Sequence, residues 1–136
     1  MRINWRKETR HLLFVYGSLK RSGQFHHLIQ EEIELLNDDC YTRGTLISLG
    51  KYPAMIDGIG KVRGELFSIT DKGLSICNRI EGYKPGKYSF YYPVYKDVYE
   101  LDGHCYVRDA LVYIVNPLNI SFNWFNCDLE VGVATV

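Results

Sequence analysis

No charge of either sign predominates in this chain, no apolar run is long, and no two cysteines stand close together. Sixteen basic residues cancel sixteen acidic ones, so there is no global field to draw in nucleic acid or an anionic membrane surface. No apolar stretch approaches the length of a transmembrane helix, and residues 1–10 lack the apolar centre of a secretory signal. The expectation is a soluble cytoplasmic protein that binds neither membrane nor nucleic acid. Cys40, Cys77, Cys105 and Cys127 offer no close pair for a zinc knuckle or a redox dithiol, and they read as reduced, mostly buried thiols. No linker of Pro, Ser or Gly and no repeat divides the 136 residues, and 46% apolar content suffices for a single core. One domain over 1–136 follows.

Several catalytic signatures are missing too. Ser18 lacks the second glycine of Gly-x-Ser-x-Gly, and no acid and histidine follow it in a recognisable order. His26 and His27 are adjacent, and neighbouring helix positions point about 100° apart, which suits two ordinary polar residues better than one shared ion. The glycines at 58, 60 and 64 are misspaced for a dinucleotide fingerprint and precede a strand instead of opening a helix. Neither pattern is read as a metal or dinucleotide site.

What is present is an ordered series of strands and helices. Residues 11–16 form a nearly continuous apolar strand, as in the interior of a sheet. It breaks at Gly17, which is free to take a conformation that a Cβ would resist, into a short polar loop. Phe25, Leu28, Ile29, Ile33 and Leu36 recur at helical spacing and predict a helix over 24–36. Strands are expected over 41–49 and 52–56, then a hairpin turn at Asp57-Gly58-Ile59-Gly60 and a return strand over 61–69. Thr70 or Asp71 caps a helix whose inner face is Leu74, Cys77 and Ile80, and Gly82 ends it. After a turn at 84–87, a strand over 88–100 carries Tyr88, Phe90, Tyr92 and Val94 on one face. Asp102-Gly103 then turns the chain into a last strand over 104–115. Beyond Pro117, Phe122, Trp124 and Phe125 read as a lid or closing turn. Five to seven strands and two helices predict an α+β domain in which a curved sheet packs on helices. Periodicity leaves open whether the sheet closes.

Four segments, taken together, are more specific than any one of them. Tyr16-Gly17-Ser18-Leu19, Leu49-Gly50-Lys51-Tyr52-Pro53-Ala54, Val62-Arg63-Gly64-Glu65-Leu66-Phe67 and Ile80-Glu81-Gly82-Tyr83 resemble the gamma-glutamylcyclotransferase-like family, which includes gamma-glutamylaminecyclotransferases and AIG2-like proteins. The resemblance covers about residues 11–115. It implies a small mixed β-barrel flanked by helices, with the substrate cavity at one mouth.

The implied reaction is intramolecular. The α-amine of a γ-glutamyl compound attacks its own γ-carbonyl, forming 5-oxoproline and expelling an amine or amino acid. Such chemistry needs a proton carrier, a folded-back substrate and stabilisation of the developing oxyanion. The resemblance gives the first task to Glu81. Substrate binding falls to the main chain of Tyr16, Gly17, Ser18 and Leu19, and to Tyr91 on the following strand. Local sequence alone reads Glu81 as a helix-terminal carboxylate in an exposed ion pair with Lys84 or Lys87. Tyr83, Tyr88, Tyr91 and Tyr92 could line a cavity or fill a barrel. Two positions depart from the family pattern: Pro93 stands where an arginine is usual, and Cys77-Asn78 replaces Leu-Asp. They bear on the leaving-group pocket, so a non-catalytic protein that binds a γ-glutamyl or carboxylate ligand is the rival reading. The expected partner in either case is a small molecule.

Overall fold

The computed structural model describes residues 9–17, 20–48 and 53–116. Five strands, β1 (Arg10–Val15), β2 (Ile33–Ser48), β3 (Pro53–Thr70), β4 (Tyr91–Glu100) and β5 (Cys105–Val115), close into a barrel in the order β1-β3-β2-β4-β5. All ladders are antiparallel except the closing one, where β1 runs parallel to β5 at Leu13 and Leu111. Among the described residues a single α-helix, α1 (Asp71–Glu81), follows β3 directly.

Strand alternation assigns the two faces of the wall. Phe14, Leu66, Val98, Val112 and Ile114 join Cys40, Met55 and Val62 in a buried cluster drawn from all five strands, which fills the barrel. Their neighbours Leu13, Val15, Phe67, Ile69, Leu111 and Tyr113 form a second cluster outside the wall, with Ile29 and Cys77. From Leu12 to Val15 β1 is apolar at every position, because both of its faces are covered there.

α1 starts and stops as its sequence dictates. Thr70 accepts a hydrogen bond from the N–H of Gly73 at 3.0 Å, a side-chain N-cap. At the other end Gly82 takes φ 72°, while Gly82 N–H donates to Arg79 O at 3.2 Å and Tyr83 N–H to Asn78 O at 2.8 Å. That is a Schellman closure, which needs the left-handed residue that glycine supplies most readily.

Several expected elements are corrected. Residues 24–36 are not a helix: His26–Leu28 and Gln30–Glu32 are short 3₁₀ turns, and β2 has begun by Ile33. Ile33 pairs with Ile69 and Leu35 with Phe67, so a partner strand overrides the helical spacing; of the expected apolar face, Leu28 and Leu36 are exposed. The segment 57–60 is not a hairpin turn. Arg43 pairs with Lys61 and Thr45 with Ile56, so the stretch bulges from β3 opposite the single residue Gly44. Ser48 pairs with Pro53, and residues 49–52 lie outside the described residues. β4 begins at Tyr91, leaving Tyr88 and Phe90 exposed, and only Tyr92 and Val94 of the expected face pack inward. Of the cysteines, Cys40 and Cys77 are buried and Cys105 is exposed. Cys127 and the expected lid around Phe122, Trp124 and Phe125 lie outside the described residues. No helix of the described residues is long and apolar enough to cross a membrane.

β4 pairs with β2 only from Val98 to Glu100. Among the described residues, Pro93 therefore lies where one side of β4 has no ladder, a position that tolerates a residue without an N–H.

Candidate active site

Where β1 gives way to its loop, a cavity of about 230 Å³ opens between the barrel end and the end of α1. Four elements supply its polar lining: Tyr16 and Gly17 after β1, Glu81 from α1, Tyr91 from β4 and Tyr113 from β5. Phe14, Phe25, Pro53 and Ile80 supply apolar wall. Of the residues singled out in the sequence, Tyr16, Gly17, Glu81 and Tyr91 meet here. Ser18 and Leu19 lie outside the described residues.

Among the described residues, Glu81 is the only carboxylate of this lining. Among the described residues no hydrogen bond or ion pair reaches its carboxylate, so the expected pairing with Lys84 or Lys87 is absent. Burial raises its pKa to about 7. The Schellman closure also sets it at the end of α1 where the helix dipole opposes negative charge, which acts in the same direction. A carboxyl group that titrates near neutrality suits a group that must both take and return a proton.

The tyrosines around it are held by the fold. Tyr16 donates through its hydroxyl to Tyr113 O at 2.7 Å and accepts from Met55 N–H at 3.1 Å. Burial, then the nearby negative charge of Glu81, pushes its pKa upward, so it stays neutral. Tyr113 donates to Asn78 Oδ1 at 2.5 Å, tying β5 to α1 one turn before Glu81. Cys77, on the same helix, is fully buried, with its pKa raised to about 12 chiefly by desolvation. It is no nucleophile.

Gly17 needs a correction. Its φ is not positive, and a β-carbon there would meet nothing within 4 Å. The position is therefore open space against the cavity, not a strained turn. The remaining tyrosines divide: Tyr83 packs beneath α1, Tyr92 enters the barrel and Tyr88 is exposed. Phe25, Pro53 and Tyr113 were not singled out as cavity residues, and Tyr113 carries no local signal, being one more residue of an apolar strand.

Comparison with known proteins shows the family and the fold. Residues 13–126 match the model of a family described as gamma-glutamyl cyclotransferase, AIG2-like. A protein of Arabidopsis thaliana named as a candidate gamma-glutamylcyclotransferase is 34% identical over 92 residues, covering 59% of this chain and 48% of that protein. The gamma-glutamylcyclotransferase family protein YtfP of Escherichia coli is 38% identical over 64 residues, 46% of this chain and 55% of that one. The chain thus spans about half the length of these two relatives. Among solved structures, an AIG2-like protein from Mus musculus superposes with a TM-score of 0.64 at 18% identity, covering 85% of this chain and 82% of that one. The solution structure of YtfP gives 0.56 at 25% identity, covering 88% and 89%.

Proposed function

The chain belongs to the gamma-glutamyl cyclotransferase, AIG2-like family, and we propose that it cyclises a γ-glutamyl amine or small γ-glutamyl peptide to 5-oxoproline. The observation that carries this reading is the Glu81 carboxylate, without a partner among the described residues, largely removed from water and sharing one cavity with Tyr16, Gly17 and Tyr91. An acceptor without a protein donor in such a place invites a cationic ligand group, and the substrate brings an ammonium.

In the proposed sequence, Glu81 accepts a proton from the substrate ammonium. The freed lone pair adds to the γ-carbonyl carbon and closes the five-membered ring. The bond from that carbon to the leaving nitrogen then breaks as Glu81 delivers a proton to the departing amine, and the ring nitrogen passes its surplus proton to that amine, which leaves as an ammonium ion. The loop leaving β1 at Gly17 holds the glutamyl portion through main-chain groups, and the apolar walls from Phe25, Pro53 and Ile80 exclude water. Tyr91 flanks the substrate from β4. No metal or cofactor takes part in these steps.

The test is incubation of the purified protein with a panel of γ-glutamyl amines and γ-glutamyl dipeptides, reading 5-oxoproline release by chromatography. Release from at least one member, abolished by Glu81→Gln, is the expected result. Binding of 5-oxoproline without release across the whole panel would make the protein a binder of such ligands and refute catalysis.

A further inference from the structure

The loop after β1 needs something to hold it, because it leaves the sheet ladder. Its own main chain provides part of the answer: Lys20 N–H donates to Gly17 O at 2.9 Å and Gly23 N–H to Lys20 O at 2.7 Å. The rest comes from β3. Val15, the last residue of β1, pairs with Glu65, so the Glu65 carboxylate sits at the point where the loop departs. One of its oxygens accepts from Arg21 N–H at 2.8 Å and the other from Arg21 Nε at 3.2 Å. The Glu65 side chain is only 9% exposed, against 48% for Arg21. Asp38 reaches the same guanidinium at 3.3 Å. Among the described residues, these two carboxylates are the only side chains outside the loop that bond it.

We propose that Glu65 is a positioning residue: by gripping Arg21 through main chain and side chain together, it anchors the chain four residues beyond Gly17, which lines the cavity. This rests on the reading of that loop as the substrate-binding element. Both carboxylate oxygens are committed, and charge-assisted bonds to a partly buried acceptor are stronger than neutral ones. An amide at position 65 could still accept from Arg21 N–H but would present a donor to Nε–H. Glu65 touches neither the cavity nor Glu81, so its removal should loosen the loop and leave proton transfer alone.

The experiment compares Glu65→Ala and Glu65→Gln with the wild type by amide hydrogen exchange at Lys20, Arg21 and Gly23 without ligand, and by calorimetric binding of 5-oxoproline and steady-state kinetics. Glu65→Ala should speed exchange at these amides and raise KM or Kd, each on the order of tenfold, while the acid limb of kcat keeps its midpoint. Glu65→Gln should recover part of both effects. Exchange and affinity within about twofold of wild type, less than one such bond is worth, would overturn the proposal. If Glu65→Ala does not fold, Arg21→Ala, which removes only the half-exposed partner, is judged by the same readouts. The exchange measurement needs no substrate, so faster exchange and weaker 5-oxoproline binding in a protein that releases no 5-oxoproline would sustain the latch and remove only the catalytic reading.

Discussion

Two carboxylates withdrawn from water stand near one end of this barrel, and their surroundings are opposite. Glu65, at the foot of the loop, has a guanidinium and a main-chain N–H on its two oxygens. Glu81, at the end of α1, has no partner among the described residues, and burial, which penalises its charged form, raises its pKa to about 7. The difference separates a carboxylate that holds structure from one left available for a ligand. Burial alone does not distinguish them; the partner does.

The sharpest way to break the contrast is to remove the charge at position 81. Glu81→Gln keeps shape and polarity but cannot take the ammonium proton, so turnover should fall by roughly 10² to 10⁴ while 5-oxoproline binding persists. Release within about threefold of wild type would mean that another group moves the proton. On the loop side, Gly17→Val should leave the fold unstrained, since a β-carbon there meets nothing. It should weaken 5-oxoproline binding by on the order of tenfold or more, through crowding of the cavity. A folded Gly17→Val protein with unchanged calorimetric affinity would separate this loop from the ligand.

A smaller effect tests the contrast as a difference in sign. Because the Glu81 pKa is raised from 4.5 to about 7, folding is favoured most at pH below the lower value. That contribution is lost as pH rises from 4.5 through about 7 and changes no further above it. Glu81→Gln should therefore match wild-type stability near pH 4.5 and exceed it above pH 7, by up to about 3 kcal/mol. Glu65→Gln should destabilise instead, by about 1–2 kcal/mol, since it turns an accepted hydrogen bond into two opposed donors. Urea denaturation across this pH range reads both; two shifts of the same sign would erase the distinction. The smallest effect concerns activity and pH. The acid limb of kcat/KM should have its midpoint near 7, the value for the free protein, whereas the limb of kcat should lie lower, because a bound ammonium favours the ionised carboxylate. Coincident limbs would mean that no cation sits beside Glu81.

Much of this was legible in the sequence because it is local. Thr70 and Gly82 mark the ends of α1, Asp102-Gly103 turns β4 into β5, and the apolar run from Leu12 to Val15 announces a strand covered on both faces. What stayed hidden depends on pairing across the chain. Helical spacing from Phe25 to Leu36 was genuine, yet Ile33 and Leu35 found a strand to join. The glycines at 58 and 60 served a bulge with the composition of a turn. At the site, Glu81, Tyr16, Gly17 and Tyr91 carried a signal only as members of distant motifs. Arg21 and Tyr113 carried none, because an ordinary loop arginine and a strand tyrosine gain meaning only from Glu65 and Asn78 across the fold.

The Tyr16 hydroxyl joins β5 at Tyr113 O to β3 at Met55 N, the two strands that flank β1 in the barrel. It acts as a tie across the rim, and the aperture it spans is set before any guest arrives. A ligand then meets a vestibule of fixed width, so little reorganisation is spent at the moment of capture. Association should follow a single exponential whose observed rate climbs linearly with ligand concentration, without the plateau that a slow opening step imposes.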